Sequence, residues 1–403
     1  MSGARIATLA AIVLFLSGCQ SMGAGFSNLV SGTINLVTGG GGEVEPPREL
    51  EPITAEIAID VLWEEDIGSG DGGQWLALTP AVGDDAVFTA DHRGRVTALK
   101  LADGRSLFET DTGLPVSAGP GLGWEHLLLG TSEGQVVALS RETGERRWTA
   151  AVSSEVLAPP VADRGIVVVH AADDAVFALE EDSGKPLWSY GKSISRLTLR
   201  GVAPPKIVDT AILIGFANGR MAALRLKDGK LFWERQLAVP RGVSELERIV
   251  DIDSAPAVHE GMFYVTAYYG GVIAASLVDG EVIWRNTDIV ANTTPAVSWR
   301  YVFVTDTAGD VWGLDSATGR AYWKQEALHR RQVTAPVIFD DYLAVGDYKG
   351  YVHFLAQEDG RQVGRIRVFR SPIRIPPLVA GDRLIVYASD GDVAVLKVEA
   401  RSD

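Results

Sequence analysis

Residues 134–148, GQVVALSRETGERRW, contain the pattern that decides the fold of this chain. The apolar run after Gly134 leads into a polar turn that ends at Gly144, and Trp148 follows four residues later. Glycine readily adopts the positive φ of a tight turn, so a polar residue and glycine between two apolar runs predict a β-hairpin. This stretch is therefore predicted to form two antiparallel strands.

The strand that opens this pattern occurs eight times, with a second hairpin signal upstream of each copy. A turn glycine follows each of the first seven copies, and an aromatic residue stands four positions after six of these glycines, whereas Gly364 breaks the rule in the seventh. The copies start at residues 94, 134, 174, 219, 270, 309, 350 and 391. A four-stranded unit of about 40 residues cannot bury both faces of its sheet alone, so the units must stack, and radial stacking produces a β-propeller. We predict an all-β, eight-bladed β-propeller of four-stranded blades.

The two ends of the repeat array complement each other. The eighth copy ends before its last strand, whereas residues 60–66 contain Trp63 without a preceding hairpin. We predict that this N-terminal strand closes the last blade, because closure removes two exposed sheet edges.

Composition and charge exclude several functions. The formal net charge of −15 repels phosphate backbones, so no nucleic-acid partner is expected. A single cysteine cannot build a disulfide framework, a thiolate zinc site or a Cys-x-x-Cys redox centre. The histidines occupy different repeat phases, and no catalytic or phosphate-binding motif occurs. We therefore expect no catalytic residues, no metal and no cofactor.

The N-terminus has the features of an export signal. Arg5 precedes an apolar run that ends in Leu16-Ser17-Gly18-Cys19, too short for a membrane span. These four residues resemble the bacterial lipobox, which implies cleavage after residue 18 and acylation of Cys19. Gln20 follows instead of aspartate, which implies export to the outer membrane. The alternative is a plain signal peptide followed by a buried cysteine.

The predicted organisation has three parts. Residues 1–18 form a lipoprotein signal peptide, residues 19–59 carry the lipidated Cys19 and a flexible acidic and proline-rich tether, and residues 60–403 form the propeller. Within the tether, the mildly apolar residues 26–37 either serve as a spacer or contact a partner or the lipid surface.

Two repeat intervals are longer than the others, at 45 and 51 residues. The extra residues follow two neighbouring tryptophan strands, so they are expected to form adjacent loops on one face of the disc. The first loop contains residues 195–201 and the second residues 245–253. Leucines beside an arginine, facing two carboxylates, fit a protein contact better than catalysis.

The Ala-Leu-x-x-x-Thr-Gly-x-x-x-Trp unit at residues 138–148 resembles the quinoprotein-type propeller repeat. In that family the tryptophans wedge between blades, which implies structural rather than catalytic roles for Trp63, Trp148, Trp188, Trp233, Trp284 and Trp323. Together with the lipobox and tether, the eight repeats resemble the BamB-type lipoproteins of the outer-membrane β-barrel assembly complex. The resemblance covers nearly all of residues 19–403.

This resemblance implies a non-enzymatic scaffold on the periplasmic face of the outer membrane. Its partners would be the periplasmic domains of a BamA-type barrel subunit and other assembly subunits, with nascent outer membrane proteins as a further candidate. The family's binding motifs match Leu197, Leu199, Arg200, Asp251 and Asp253. Two alternatives remain: Arg200 and Asp251 pair with each other, or the two aspartates cap turns.

Two further interpretations concern the rest of the chain. A quinone-dependent (PQQ) dehydrogenase is the enzymatic alternative, although such enzymes need calcium ligands, a catalytic aspartate and usually a vicinal cysteine pair. Residues 329–331, His-Arg-Arg, are interpreted as a solvated charge cluster, with an auxiliary basic contact as the alternative.

Overall fold

A computed structural model describes residues 45–83, 85–191, 201–239 and 250–401. Within these ranges the chain contains thirty-two strands and no helix, arranged as eight antiparallel four-stranded sheets. The first strands of most neighbouring sheets contact one another. The predicted eight-bladed β-propeller is therefore confirmed. In the same ranges, no helix has the length and apolar character needed to cross a membrane.

The strands follow the order of the repeats. The chain enters the ring through β1 (Ile57–Asp66). Blade 1 comprises β2 (Ala81–Gly83), β3 (Ala86–Ala90), β4 (Arg95–Lys100) and β5 (Ser106–Asp111), and blade 2 comprises β6 (Val116–Leu122), β7 (His126–Thr131), β8 (Gln135–Ser140) and β9 (Arg146–Ala151). Blade 3 comprises β10 (Val161–Asp163), β11 (Ile166–His170), β12 (Val176–Glu180) and β13 (Pro186–Tyr190), and blade 4 comprises β14 (Lys206–Val208), β15 (Ala211–Gly215), β16 (Arg220–Arg225) and β17 (Leu231–Gln236). Blade 5 comprises β18 (Ala257–His259), β19 (Met262–Ala267), β20 (Gly271–Ser276) and β21 (Val282–Asn286), and blade 6 comprises β22 (Ala296–Val297), β23 (Tyr301–Thr305), β24 (Val311–Asp315) and β25 (Ala321–Gln325). Blade 7 comprises β26 (Val337–Phe339), β27 (Tyr342–Gly346), β28 (Tyr351–Ala356) and β29 (Gln362–Arg367). Blade 8 comprises β30 (Leu378–Ala380), β31 (Arg383–Tyr387) and β32 (Asp392–Ala400) together with β1.

The N-terminal strand closes the ring as predicted. β1 pairs antiparallel with β32, from Ile57 opposite Ala400 to Asp66 opposite Asp392, with a register shift between Val61 and Trp63. Blade 8 therefore obtains its outermost strand from the opposite end of the chain. Every blade acquires four strands, and the ring has no open seam.

The core lies between the blades rather than within a single sheet. The second and third strands of each blade are buried on both faces, because each sheet packs against its neighbours. This explains why β7 and β8 are nearly continuous apolar runs, whereas an outer strand such as β5 alternates with exposed residues.

Six tryptophans join consecutive blades in the same way. Each indole Nε1 donates a hydrogen bond of 2.7–3.1 Å to a backbone carbonyl of the next blade. Each ring also covers the turn glycine of that blade, where a Cβ would collide with the indole. The repeated glycine thus supplies both a positive φ and room for the ring. The six residues are Trp63, Trp148, Trp188, Trp233, Trp284 and Trp323.

Two blade junctions lack this tryptophan. Between blades 1 and 2, Phe108 covers Gly144 but offers no indole donor. Between blades 7 and 8, Gly364 occupies the tryptophan position, and the Ile57 side chain of β1 packs directly against it. Blade 8 is built from two separate chain ends, so β32 and β1 have no connecting turn that could supply the usual glycine. The exception at Gly364 therefore follows from the way in which the ring closes.

The segment before β1 also packs on the propeller. The compact unit begins at Pro47. The backbone N–H of Arg48 donates to the His329 carbonyl at 3.0 Å, and that of Glu56 donates to the Val363 carbonyl at 2.8 Å. Residues 47–56 therefore lie against blades 6 and 7.

Candidate functional site

One face of the disc carries all the connections between blades. Strand direction alternates within each blade, so the interblade connections lie on the same side as the turns between second and third strands. We call this side the loop face. The turns between first and second strands, and between third and fourth strands, lie on the opposite face.

Three interblade connections are long: residues 67–80, residues 191–205, of which the structure describes 191 and 201–205, and residues 237–256, of which it describes 237–239 and 250–256. The second and third are the loops that the repeat spacing singled out, and they leave neighbouring blades. The first joins blade 8 to blade 1, and repeat spacing could not find it because it precedes the first complete repeat. The first connection joins blades 8 and 1 and the third joins blades 4 and 5, so the two leave the ring at opposite junctions.

Asp251 is held inside the third loop. Its carboxylate is buried, and Oδ1 accepts a hydrogen bond of 3.0 Å from the backbone N–H of Asn218, a residue with a positive φ in the turn between β15 and β16. The adjacent Ile252 is fully buried in the blade 4–5 core. Asp251 thus caps a turn, and this anchors the loop to blade 4.

Asp253 has a different environment. Its carboxylate is largely removed from solvent, and it accepts no hydrogen bond from any residue that the structure describes. Burial raises the pKa of Asp253 to about 7, and the nearby charges of Asp251 and Asp174 act in the same direction. Ionisation of this carboxyl group therefore costs free energy in the isolated folded chain.

The second and third loops meet at Asp253. The backbone of Gly201 lies directly against this carboxylate, since a Cβ at residue 201 would come 2.6 Å from Asp253 Oδ2. Any residue larger than glycine would have to displace the aspartate side chain. Gly201 of the second loop and Asp253, the last aspartate of the third loop, thus form one continuous surface.

A small cavity of about 160 Å³ opens beside this contact. Gly201, Val202 and Asp253 line one side, and Leu157, from the connection between blades 2 and 3, lies next to them. The remaining wall comes from the 67–80 loop through Trp75, Leu76 and Ala77. The three long connections therefore converge at one place, which is apolar except for the Asp253 carboxylate.

Within the His-Arg-Arg segment at residues 329–331, Arg330 is exposed but Arg331 is not solvated. Arg331 is buried, and its Nη2 lies 2.6 Å from Asp347 Oδ2, which also lies 2.9 Å from His353 Nε2. Burial lowers the pKa of His353. Arg331 Nη1 donates to the Arg48 carbonyl, so this buried group also holds the segment before β1. The solvated interpretation is wrong for Arg331.

The opposite face contains a larger cleft of about 560 Å³ between blades 1 and 2, at the junction where Phe108 replaces tryptophan. Its lining mixes cations such as Arg105 and Arg147 with carboxylates such as Glu125 and Glu142, so its chemistry favours no single ligand. Across the described part of the chain, no three His, Cys, Asp or Glu side chains are grouped to hold a metal ion.

The sequence matches the family described as "Outer membrane protein assembly factor BamB" over residues 92–325 and 327–402. These ranges cover well over half of the chain. The chain belongs to the BamB family. Both matched segments lie within the propeller, and together they include the second and third loops.

Individual BamB relatives agree with this assignment. The chain is 34% identical over 404 residues to the outer membrane protein assembly factor BamB of Xanthomonas campestris pv. campestris, covering 98% of this chain and 97% of the relative. The crystal structure of BamB from Moraxella catarrhalis superposes with a TM-score of 0.76 at 25% identity, covering 84% of this chain and all of that one. A quinohemoprotein alcohol dehydrogenase from Comamonas testosteroni superposes with a TM-score of 0.67 but only 12% identity, which shows a common fold alone.

The BamB-type motif residues fall into two groups. Asp251 and Asp253 lie beside each other on the loop face, with Asp251 anchoring the loop and Asp253 facing the cavity. Leu197, Leu199, Arg200 and the acylation candidate Cys19 lie outside the described residues. Sequence reasoning missed Trp75 and Leu157, because neither lies in a motif or in an unusually spaced repeat.

Proposed function

We propose that the chain is a non-enzymatic scaffold of the outer-membrane β-barrel assembly machinery, and that its loop face binds the periplasmic domains of a BamA-type barrel subunit. The observation that carries this proposal is the meeting of two long loops at Gly201 and Asp253, where both family motifs end. Membership of a family of assembly factors supports the biological setting.

The chemistry of the loop face suits a polypeptide partner. Asp253 lacks a hydrogen-bond partner among the described residues, and it sits beside an apolar cavity. A basic side chain of the partner would compensate the carboxylate, and an adjacent apolar side chain would occupy the cavity. Such a combination of desolvated charge pairing and apolar anchoring is typical of the centre of protein interfaces.

The proposed anchor is a set of acyl chains on Cys19, which would place the propeller on the periplasmic side of the outer membrane. Each acyl chain contributes about 0.8 kcal/mol per buried methylene, so several chains bind a bilayer stably. Mass spectrometry of the mature N-terminus tests this step. When residues 1–18 are replaced by a conventional cleavable signal peptide, the Cys19→Ser chain should appear in the soluble periplasmic fraction, and persistence of this cleaved chain in the membrane would contradict the anchor.

Binding is tested with the purified periplasmic domains of the barrel subunit. We expect the double variant Leu197→Ser, Leu199→Ser to lose binding while keeping its melting temperature. The matched control replaces Leu107 and Leu231 with serine, because both leucines are about half exposed on outer strands away from the loop face. Equal binding by the two double variants would contradict the proposal.

The same assay separates scaffolding from direct client binding. Unfolded outer membrane proteins are added without any other subunit. Retention of clients by the propeller alone would add a carrier role, which an extended peptide could fill by pairing with an exposed strand edge.

A further inference from the structure

The 67–80 loop presents an exposed tryptophan at the mouth of the cavity. Trp75 is 62% exposed. Trp124 and Trp299 are also largely exposed, but they lie in turns between first and second strands and so belong to the opposite face. Trp75 therefore differs from them in standing on the loop face, beside the surface formed by the second and third loops.

The indole of Trp75 is held in place before any partner arrives. The guanidinium of Arg374 stacks on the ring at 4.1 Å from its centroid. Arg374 Nη1 in turn lies 2.6 Å from Asp71 Oδ2, and Asp71 is buried. Trp75 itself adopts a φ of 57°, a left-handed conformation that is uncommon for a residue with a bulky side chain. The loop thus fixes an aromatic surface at low additional entropic cost on binding.

The position of Trp75 links it to the two motif loops. Trp75, Leu76 and Ala77 line the same 160 Å³ cavity as Gly201, Val202 and Asp253. This cavity is large enough for about one apolar side chain, and one carboxylate stands at its edge. A partner segment that carries an apolar residue next to a lysine or arginine would match both features. Asp251 and Asp174 add negative charge on the same side.

We propose that Trp75 is an anchor residue for the polypeptide that binds the loop face, and that an apolar side chain of this partner inserts between Trp75, Leu157 and Val202 beside Asp253. This inference rests on the proposed function and extends the binding surface to the 67–80 loop. Rigid tryptophans at the centre of an interface are among the residues that lose most affinity on truncation.

The test compares three single variants, Trp75→Ala, Trp124→Ala and Trp299→Ala, in the mature chain. Affinity for the purified periplasmic domains of the barrel subunit is measured by isothermal titration calorimetry. We expect Trp75→Ala to weaken binding about 30-fold or more, Trp75→Phe to recover part of the loss, and the other two variants to bind within about twofold of the wild type. Thermal unfolding of each variant verifies that the fold is intact.

The double leucine variant separates two kinds of failure. If it loses binding while Trp75→Ala binds like the wild type, the role of Trp75 is overturned and the proposed function stands. If neither variant loses binding, the proposed function fails as well. Hydrogen exchange gives an independent measurement: residues 67–80 should gain protection in the complex, and unchanged exchange there would overturn the inference. Concentration-dependent self-association that disappears in Trp75→Ala would assign the surface to a second copy and also overturn it.

Discussion

Replacement of Asp253 by asparagine removes a charge from the loop face and preserves the shape of the side chain. In the folded chain, burial and the neighbouring Asp251 and Asp174 carboxylates raise the pKa of Asp253 from an ordinary 3.8 to about 7. In the unfolded chain the carboxyl recovers its ordinary pKa. Ionisation of Asp253 therefore destabilises the folded state, and the asparagine variant escapes this cost.

The magnitude follows from the difference between these two pKa values. Between about pH 4 and pH 7 the folded state retains a proton that the unfolded state has released, so wild-type stability falls as the pH rises. A gap of about 3 pKa units corresponds to about 4 kcal/mol. The stability advantage of Asp253→Asn should grow from less than about 1 kcal/mol at pH 4 to about 4 kcal/mol above pH 8, which raises the melting temperature by several degrees.

The assay is thermal unfolding followed by circular dichroism at pH 4, 6 and 8.5. Asp279→Asn is the matched control, because hydrogen bonds from Ser276 and a nearby backbone N–H lower the pKa of Asp279. Its replacement should bring no gain in stability as the pH rises. A gain from Asp253→Asn that does not change with pH, or a loss of stability at pH 8.5, would refute the reasoning.

The same variant should bind its partner less well. The Asp253 carboxylate lowers the stability of the folded chain, but in the complex it would pair with a cation of the partner. Its removal should therefore raise stability in the unfolding assay and lower affinity in the binding assay. We therefore expect Asp253→Asn to be more stable than the wild type at pH 8.5 and to show weaker affinity for the periplasmic domains of the barrel subunit. A variant that is more stable and binds normally would remove Asp253 from the binding surface.

Three further predictions concern the ring. Deletion of residues 57–66 should lower the melting temperature by about 10 °C and broaden the transition, because it removes the buried Ile57 and Trp63 of β1; an unchanged calorimetric transition would argue against closure as a source of stability. Asp347→Ala should destabilise the fold by about 3–5 kcal/mol in urea unfolding, because it leaves the Arg331 charge buried without its partner; a loss below about 1 kcal/mol would show that Arg331 reaches solvent or another partner. Trp148→Phe should cost about 1–3 kcal/mol in the same assay, because the buried Glu181 carbonyl of the next blade loses its indole donor. A neutral substitution would mean that ring packing alone joins the blades.

The fold was predictable because most repeats contain the same turn glycine and the same aromatic residue four positions after it. Gly144 supplies the turn, and the residue four positions later supplies the wedge, so the period, strand count and closure by Trp63 could all be read from spacing. The exception at Gly364 was visible as a break in the pattern, but its reason was not. That reason depends on Ile57, which is more than 300 residues away in sequence and reaches Gly364 only after the ring has closed.

The site was only partly predictable. Long repeat intervals pointed to the 191–205 and 237–256 loops, but spacing says nothing about a connection that precedes the first complete repeat, so Trp75 went unnoticed. Charge patterning also misled for Arg331, because a run of basic residues does not reveal that Asp347 lies beneath it. Whether a single polar group is buried depends on the residues that pack around it in the fold. The sequence reveals those neighbouring residues only where the repeat fixes their positions.

The long interblade connections, which depart from the repeat, are the parts of the chain that the ring itself does not need. The stability of the ring comes from the blade junctions, which need only short connections, such as residues 112–115 between blades 1 and 2. The three longest interblade connections are therefore not required for closure, yet they converge on one cavity. They also hold two features that cost folding free energy: the carboxylate of Asp253 without a hydrogen bond among the described residues, and the exposed Trp75 in a left-handed conformation. A partner that pairs with Asp253 and covers Trp75 would offset the cost of the desolvated carboxylate and remove the exposed indole from water, so both features should contribute to binding when the complex forms.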